Sequence, residues 1–498
     1  MSETTPTAAA AAPKAPAAKG SPKKSGLLSG NGLLLFGAAV LFGVIVYFLP
    51  FQLDYPAKVT LALLAFTAAA WVFDLMPVGV TALLFPVLLV VILGPRIMPT
   101  RTAFAGYTDS TVWLMVGAFL LGEATVQTGL AKRIAFTIMK RGGSSYNRIV
   151  LYLWIAGCVL GLLVPSAIAR VAMFIPIMVG IVQAYKAPND SNFACNLLQH
   201  VYWSSILGST LWYTGTNMNP TAMGIAQSIN GYAPSYITWV VWMVIPSITL
   251  FAGCYLIIQW VLKPEPDILA NAGSSNVIID ELAAMGPMQG EEKRSLYFFI
   301  LAVALWVTEP LHKVSTAWVA IIVGLLLFMP QIGILKGKAL NRISWDTIIL
   351  LGVALGFTDI TKAVGLDKWI VNSLMNPILS PFVTHGSLGM AFAICMLVFL
   401  VHFVMASSSA ETAMMTPMVA RYAHEAGFNA TFASMIVART SQNVFIFPYQ
   451  TLPLVVLWGT GYIDMRKCVT SMSCIALFNV AWITLLGPYY AFIMEWVK

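Results

Sequence analysis

A chain of 498 residues that is 59% hydrophobic and only 10% charged is not a soluble globular protein, which carries about 25% charged residues. Many of its apolar runs approach the roughly 20 residues needed to cross a bilayer, so the chain reads as an all-α polytopic membrane protein. The net charge of +8 then reports topology, not nucleic-acid binding. The six cysteines lie mostly inside apolar runs and form no C-x-x-C pair, so neither a disulfide framework nor a zinc site is expected.

Residues 1–30 are rich in Ala, Pro, Lys and Ser and are expected to be a disordered tail. Lys14, Lys19, Lys23 and Lys24 make it basic and place it in the cytoplasm. The apolar run Leu33 to Leu49 is long enough to remain as a membrane helix. Further runs cover 57–75, 78–95 and 107–127. The stretch Gly129 to Lys140 is shorter and carries Lys132, Arg133 and Lys140 among Leu, Ile and Phe, which suits a helix lying in the interface.

Runs at 147–164 and 170–184 flank Pro165-Ser166-Ala167 and suggest a re-entrant hairpin with that tripeptide at its tip. Runs at 197–212 and 220–229 flank a second interruption, Tyr213 to Asn219, and a full span covers 236–262. Residues 263–294 are the longest polar stretch inside the membrane region and are taken as a cytoplasmic linker between two halves, 31–262 and 295–498. The second half offers runs at 295–309, 314–330 and 345–362. A second hairpin follows (386–403 and 411–425), then a second broken helix around Phe447 to Leu452, then a last span at 468–494. Counted this way there are about 11 crossings, with the N-terminus cytoplasmic, the C-terminus outside and Lys and Arg enriched inside.

The two halves repeat. Trp71 and Trp306, Thr81 and Thr316, and Pro95 and Pro330 are each 235 positions apart; Gly129-Leu130 and Gly365-Leu366 are 236 apart; Ser166 and Ser407, and Pro176 and Pro417, are 241 apart. A unit of five crossings repeated in one chain must insert upside-down the second time. The expected architecture is an inverted repeat of five-helix units plus an N-terminal helix, with both interrupted regions meeting near the midplane.

Irregular polar backbone at membrane depth is tolerated only where protein covers it or it lines a wet cavity. Paired breaks therefore point to a binding site. Free N–H groups at the helix ends there suit carboxylate or sulfate oxygens. Serine, threonine and asparagine side chains bind an anion without the cost of an unpaired buried charge. The candidate substrate-binding residues are Ser166, Ala167, Thr216, Asn217, Asn219 and Pro220 in the first half, and Ser407, Ser408, Ser409, Thr451 and Pro453 in the second. Candidate sodium positions lie near Ser166 and Asn217, and near Ser407, Ser408 and Thr451; no other cofactor is expected. Arg170 and Glu411 are intramembrane charges at matching places, functional by default. They are candidates for a charge pair, for substrate contact or for capping their own hairpins. Arg439 and His402 are further candidates.

These residues resemble the divalent anion:sodium symporter family, which includes di- and tricarboxylate, citrate/succinate-type and sulfate carriers. The resemblance spans residues 31–498. Trp71 to Leu84 looks like the family's second helix. Pro165 to Arg170 is similar to a Pro-Ser-Asn-Thr-Ala-Arg tip, and Thr214 to Ala222 to a Thr-Gly-Thr-x-x-Asn-Pro stretch. Ser407-Ser408-Ser409 stands where a second Ser-Asn-Thr tip would be. The resemblance implies a homodimer in a bacterial inner membrane, a mobile domain carrying both hairpins, and elevator transport of a small divalent anion. This chain departs at the first tip, where Ala167 and Ile168 replace Asn and Thr, and at the second, where Ser408 replaces Asn; sodium coupling is in question for that reason. The alternatives are a sodium-independent exchanger or a proton-linked carrier for an anion such as sulfate or a sulfonate. An enzyme is disfavoured, since no metal cluster, Ser/His/Asp set or phosphate loop lies within the spans, and paired hairpins argue against a channel.

Overall fold

The structure is a computed structural model that describes residues 30–143, 145–270, 277–405 and 407–496. The tail expected over 1–30 therefore lies, but for Gly30, outside the described residues. Within them the chain is helical and contains no strand. The first half runs α1 (Gly30–Phe48), α2 (Tyr55–Val72), α3 (Val78–Leu93), α4 (Ser110–Gln127), α5 (Leu130–Met139), α6 (Tyr146–Leu163), α7 (Ala167–Ala184), α8 (Asn192–Leu211), α9 (Met218–Asn230) and α10 (Tyr236–Val261). The second half runs α11 (Gly290–Val307), α12 (Thr316–Leu326), α13 (Trp345–Ala363), α14 (Gly386–His402), α15 (Ser408–Glu425), α16 (Ala430–Asn443), α17 (Leu452–Trp458) and α18 (Met465–Trp496). Several of these helices, among them α2, α6, α7, α10 and α18, are each long and apolar enough to cross a bilayer.

Matching positions do matching work in the two halves. Trp71 Nε1 donates to the Val78 carbonyl (3.3 Å), and Trp306 Nε1 to the Thr316 carbonyl (3.1 Å), so each indole clips the end of one helix to the start of the next. The interfacial helix α5 bends away from α4 by 68° at the left-handed Gly129. The second half has its own arm, Leu366–Val383, bent 97° from α13 at the left-handed Gly365. The repeat pairs Gly365-Leu366 with Gly129-Leu130, but the apolar pattern after Gly365 does not by itself mark an arm. The arm is interrupted by a π-turn (Ile370–Met375) and contains Pro377 and Pro381, which blurs a simple 3.6-residue period.

The linker stretch is not wholly irregular. Short helices occupy Pro266–Ala270 and Val277–Ala284. Helix α11 starts at Gly290, ahead of the apolar run, because Gln289 and Glu292 form a capping box that carries the helix through its polar first turn.

Contacts between loops sort them by side. Arg133 of α5 pairs with Glu292 (2.5 Å) and donates to the Gly286 carbonyl, Lys132 pairs with Glu281 (3.0 Å), Arg342 pairs with Glu123 (3.0 Å), and Lys467 reaches the Asp190 carbonyl. At the other end, Asn230 meets Asn429 and Thr431, Arg421 faces Asp367 at 3.8 Å, and Phe51 packs on Trp369.

Candidate functional site

Both halves break their helices in the same way. Val164 and Ser166 are extended (φ −129° and −102°), and Ser166 Oγ accepts from the Ala169 N–H at 3.3 Å to start α7. Ser407 is extended (φ −120°), and its Oγ accepts from the Ala410 N–H at 3.3 Å to start α15. This is the serine N-cap, used at two positions 241 apart. The second pair of breaks matches as closely. One 3-10 turn, Tyr213–Gly215, lies between α8 and an extended Thr216 (φ −153°, ψ 154°); another, Pro448–Gln450, precedes an extended Thr451 (φ −147°, ψ 126°).

All four breaks open on one cavity of about 280 Å³. Its walls include Ser166, Ala167, Thr216, Asn217, Ser407, Ser408, Ser409, Thr451 and Pro453. The helices α7, α9, α15 and α17 all begin at this wall, so free N–H groups converge there. The halves touch directly: Asn217 Nδ2 donates to Ser409 Oγ at 2.9 Å, and Ser409 Oγ lies 3.3 Å from Asn217 Oδ1.

Two expected residues do not line this cavity. Asn219 is fully buried; its amide donates to the carbonyls of Ser209 (2.8 Å) and Trp212 (3.0 Å), and its oxygen accepts from Arg439. Pro220 is buried beside it. Helix α9 has already begun at Met218, and each further residue rotates by about 100° around the axis, so Asn219 points back into the protein as a brace for the end of α8. Arg439 completes that brace, 5.7 Å from the Trp239 ring.

Arg170 and Glu411 are not partners. The Arg170 guanidinium is fully buried and donates to the carbonyls of Val164, Gly215 (3.0 Å) and Ser205 (2.9 Å) and to the Ser209 hydroxyl. It ties the first hairpin to the first broken helix. Glu411 is bound instead to His402, with Oε2 2.5 Å from Nδ1. The second hairpin is tied to its own broken helix by Gln450. Its amide donates to the His402 carbonyl (3.0 Å), and its oxygen accepts the N–H groups of Ile446 (2.8 Å) and Phe447 (2.7 Å).

Ile206 of α8 and Gln442 of α16 add to the wall, and the rest comes from elements without a break. Val78 of α3, Phe119 of α4, and Ser344, Asp346, Thr347 and Leu350 at the start of α13 face the hairpin tips. Asp346 is the single ionisable side chain among the lining residues. Gly79 makes room for it, since a Cβ there would lie 2.7 Å from the Asp346 backbone.

The candidate sodium positions can be tested on their donors. A desolvated sodium ion needs several oxygens. At the first tip Ala167 and Ile168 supply no side-chain oxygen, Ser166 Oγ is engaged as a cap, and Asn217 Oδ1 faces the hydroxyls of Thr216 and Ser409 at 3.3 Å each. At the second, Ser407 Oγ is likewise a cap, and the nearby Glu411 carboxylate is turned to His402. The first set is therefore poorer in side-chain oxygens than the second, where the Ser408 and Thr451 hydroxyls also stand on the cavity wall.

An all-helical membrane protein whose paired helix breaks surround one small cavity edged with hydroxyls is built as a transporter, not as an enzyme. The chain belongs to the sodium:sulfate symporter family, whose transmembrane-region model matches residues 32–497. Among its relatives, a protein of Cupriavidus necator described as a membrane protein is 25% identical over 468 residues, covering 90% of each chain. The sodium-dependent dicarboxylate transporter SdcS of Staphylococcus saprophyticus is 24% identical over 463 residues, covering 88% of this chain and 87% of its own. The crystal structure of the Alcanivorax borkumensis YdaH transporter shares the fold, with a TM-score of 0.56 at 15% identity over 92% of this chain and 96% of its own.

Proposed function

We propose that the protein is a secondary carrier for a small divalent anion, with a dicarboxylate as the first substrate class, and that its transport is independent of sodium. One observation carries the reading: both hairpin tips and both helix breaks wall the same 280 Å³ cavity. That volume is at the lower end for ligand pockets, about 300 Å³ and up, and suits a compact dianion. Four helix N-termini and neutral hydroxyls supply donors for its oxygens. Asn217 and Ser409 close the pocket across the two halves. The dicarboxylate class is supported by the named relative, and sodium independence by the oxygen-poor first tip.

The mechanism follows from which walls are tied together. Arg170 and Gln450 each bind a hairpin to the broken helix beside it, and Asn217–Ser409 joins the two sets. These elements form one body that carries the anion. Helices α3, α4 and α13 present the opposite wall and belong to the fixed frame against which that body moves. The halves are inverted copies, 31–262 and 295–498, with the 263–294 linker on the cytoplasmic side, and the protein works in a bacterial inner membrane, as a homodimer.

Uptake of labelled succinate into proteoliposomes tests the reading. The expected result is saturable uptake, cut by excess unlabelled dicarboxylate and unchanged when a sodium gradient is removed. Competition by sulfate alone would move the substrate to inorganic anions. Uptake that collapses without sodium would overturn the sodium-independent reading.

A further inference from the structure

Behind the second tip lies a carboxylate–imidazole pair that the cavity does not use. His402 ends α14 and Glu411 lies in the first turn of α15; Nδ1 and Oε2 are 2.5 Å apart, and both side chains are completely buried. Neither lines the cavity. His402 Nε2 keeps no partner among the described residues, and beyond the imidazole the Glu411 carboxylate has only the Ser441 hydroxyl beside it.

Other charged groups on the surrounding elements are engaged or placed elsewhere. Arg439 of α16 serves Asn219. Asp346 of α13 faces the cavity, while Asp359 and Lys362 lie near the opposite end of that helix. Arg421, His424 and Glu425 lie at the far end of α15, where Arg421 meets Glu425 and Asp367 of the arm; Lys368 follows Asp367 there. Helix α9 carries no ionisable residue.

We infer that Glu411 and His402 form the coupling-ion site of this carrier and that the ion is a proton, an inference that rests on the carrier reading above. With one proton, on Nδ1, the imidazole is neutral and donates to the carboxylate, and the pair bears one negative charge. A second proton, taken from water on one side of the membrane, goes to Nε2 or Oε1 and leaves the pair neutral; it departs to water on the other side. Moving the neutral pair through the membrane avoids carrying a buried uncompensated charge. A sodium ion would need oxygens where the imidazole nitrogen stands.

The pair is wired to the cavity on two sides. Glu411 is two residues from Ser409, which holds Asn217. The His402 carbonyl is held by Gln450, which gathers the backbone of the second break just before Thr451. Protonation therefore bears on both elements of the second half that contact the anion.

The test uses labelled succinate in proteoliposomes, measured as counterflow at equal pH and as uptake driven by an acid exterior. The wild type is expected to show several-fold stimulation by the pH gradient. Glu411→Gln and His402→Gln are expected to lose the stimulation, read as the ratio of gradient-driven uptake to each variant's own counterflow. Stimulation that survives in both variants, or its absence in a wild type that performs counterflow, overturns the inference while leaving the carrier reading intact. A wild type without counterflow overturns the dicarboxylate reading instead. The proton site is then judged on purified protein by infrared difference spectroscopy. A carboxylic-acid or imidazolium band that titrates with pH and vanishes in Glu411→Gln or His402→Gln, respectively, supports it; a band that persists in the matching variant, or neither band in the wild type, refutes it. If the Gln variant does not reach the membrane, Glu411→Asp serves: a displaced pH profile is expected, and an unchanged one refutes the site.

Discussion

At the scale of single residues, the cavity wall poses an electrostatic puzzle. An anion site would be expected to show a cation, yet the one ionisable lining residue is Asp346. The two buried guanidiniums are spent elsewhere: Arg170 on carbonyls and a serine of its own half, Arg439 on Asn219. Attraction must then come from helix N-termini and hydroxyls, and Asp346 must oppose it. With solvent-like screening, one charge at contact distance is worth on the order of 1 kcal/mol, about five-fold in affinity. Asp346→Asn is therefore expected to lower KM about five-fold for a monoanion and, with two charges facing it, up to about thirty-fold for a dianion by that measure. A rise in KM on competition uptake assays would show instead that Asp346 holds the substrate, through a shared proton or cation. Nothing in the chain singles out Asp346, which starts an ordinary apolar run with no break beside it. The hydroxyls at the breaks stood out because polar residues interrupt long apolar runs. Arg170 and Glu411 stood out equally, and so did His402, the partner of Glu411, but the partners of Arg170 did not: a carbonyl acceptor such as Gly215 leaves no mark on its own residue type.

At the scale of elements, the site depends on how closely helices cross. Helices α6 and α8 meet at Gly157, Gly161 and Gly208; a Cβ on Gly161 would lie 2.3 Å from the Gly208 backbone. This contact sets the first hairpin against the first broken helix, and Arg170 and Ser209 lie just beyond it. Gly157 and Gly161 are four apart, the spacing that lets membrane helices approach, so this crossing was legible in the chain although the breaks drew the reading. Gly161→Ala is expected to cost about 1–3 kcal/mol through overpacking, seen as a lower Tm in detergent. Transport should fall further than stability, because the Ser166 tip shifts against Thr216. Gly37→Ala is the control: nothing lies within 4 Å of the added carbon, and both readouts should be unchanged. Equal losses in the two variants would mean the crossing does not position the site. Asn219 shows the opposite limit of sequence reasoning. Its neighbour Asn217 faces the cavity and it does not, a distinction set by where α9 starts, which a run of Thr, Asn, Met and Pro leaves open by a residue or two.

At the scale of the whole molecule, the division into a moving body and a fixed frame makes a prediction that neither residue nor element can make. Two contacts lie on one common side, away from the cavity. Asn230 at the end of α9 donates to Thr431 at the start of α16 (2.9 Å). Both belong to the body proposed to carry the anion. Arg421 at the end of α15 faces Asp367 at the start of the arm (3.8 Å), which continues from α13 of the proposed frame, so this contact would join the two. Cysteine pairs at the two places, bridged by a short thiol reagent in a background without native cysteines, should behave differently. The Asn230–Thr431 bridge should leave succinate counterflow intact, because nothing within the body has to move. The Arg421–Asp367 bridge should abolish counterflow and leave thermal stability undiminished. Reduction of a cleavable reagent should restore it. Counterflow that survives both bridges would mean that the anion crosses without displacement of the hairpins against the frame, and loss at both would mean that the hairpins and broken helices move against one another. Only loss at the second alone matches a body held together by Arg170, Gln450 and the Asn217–Ser409 contact and sliding as a unit past α3, α4 and α13.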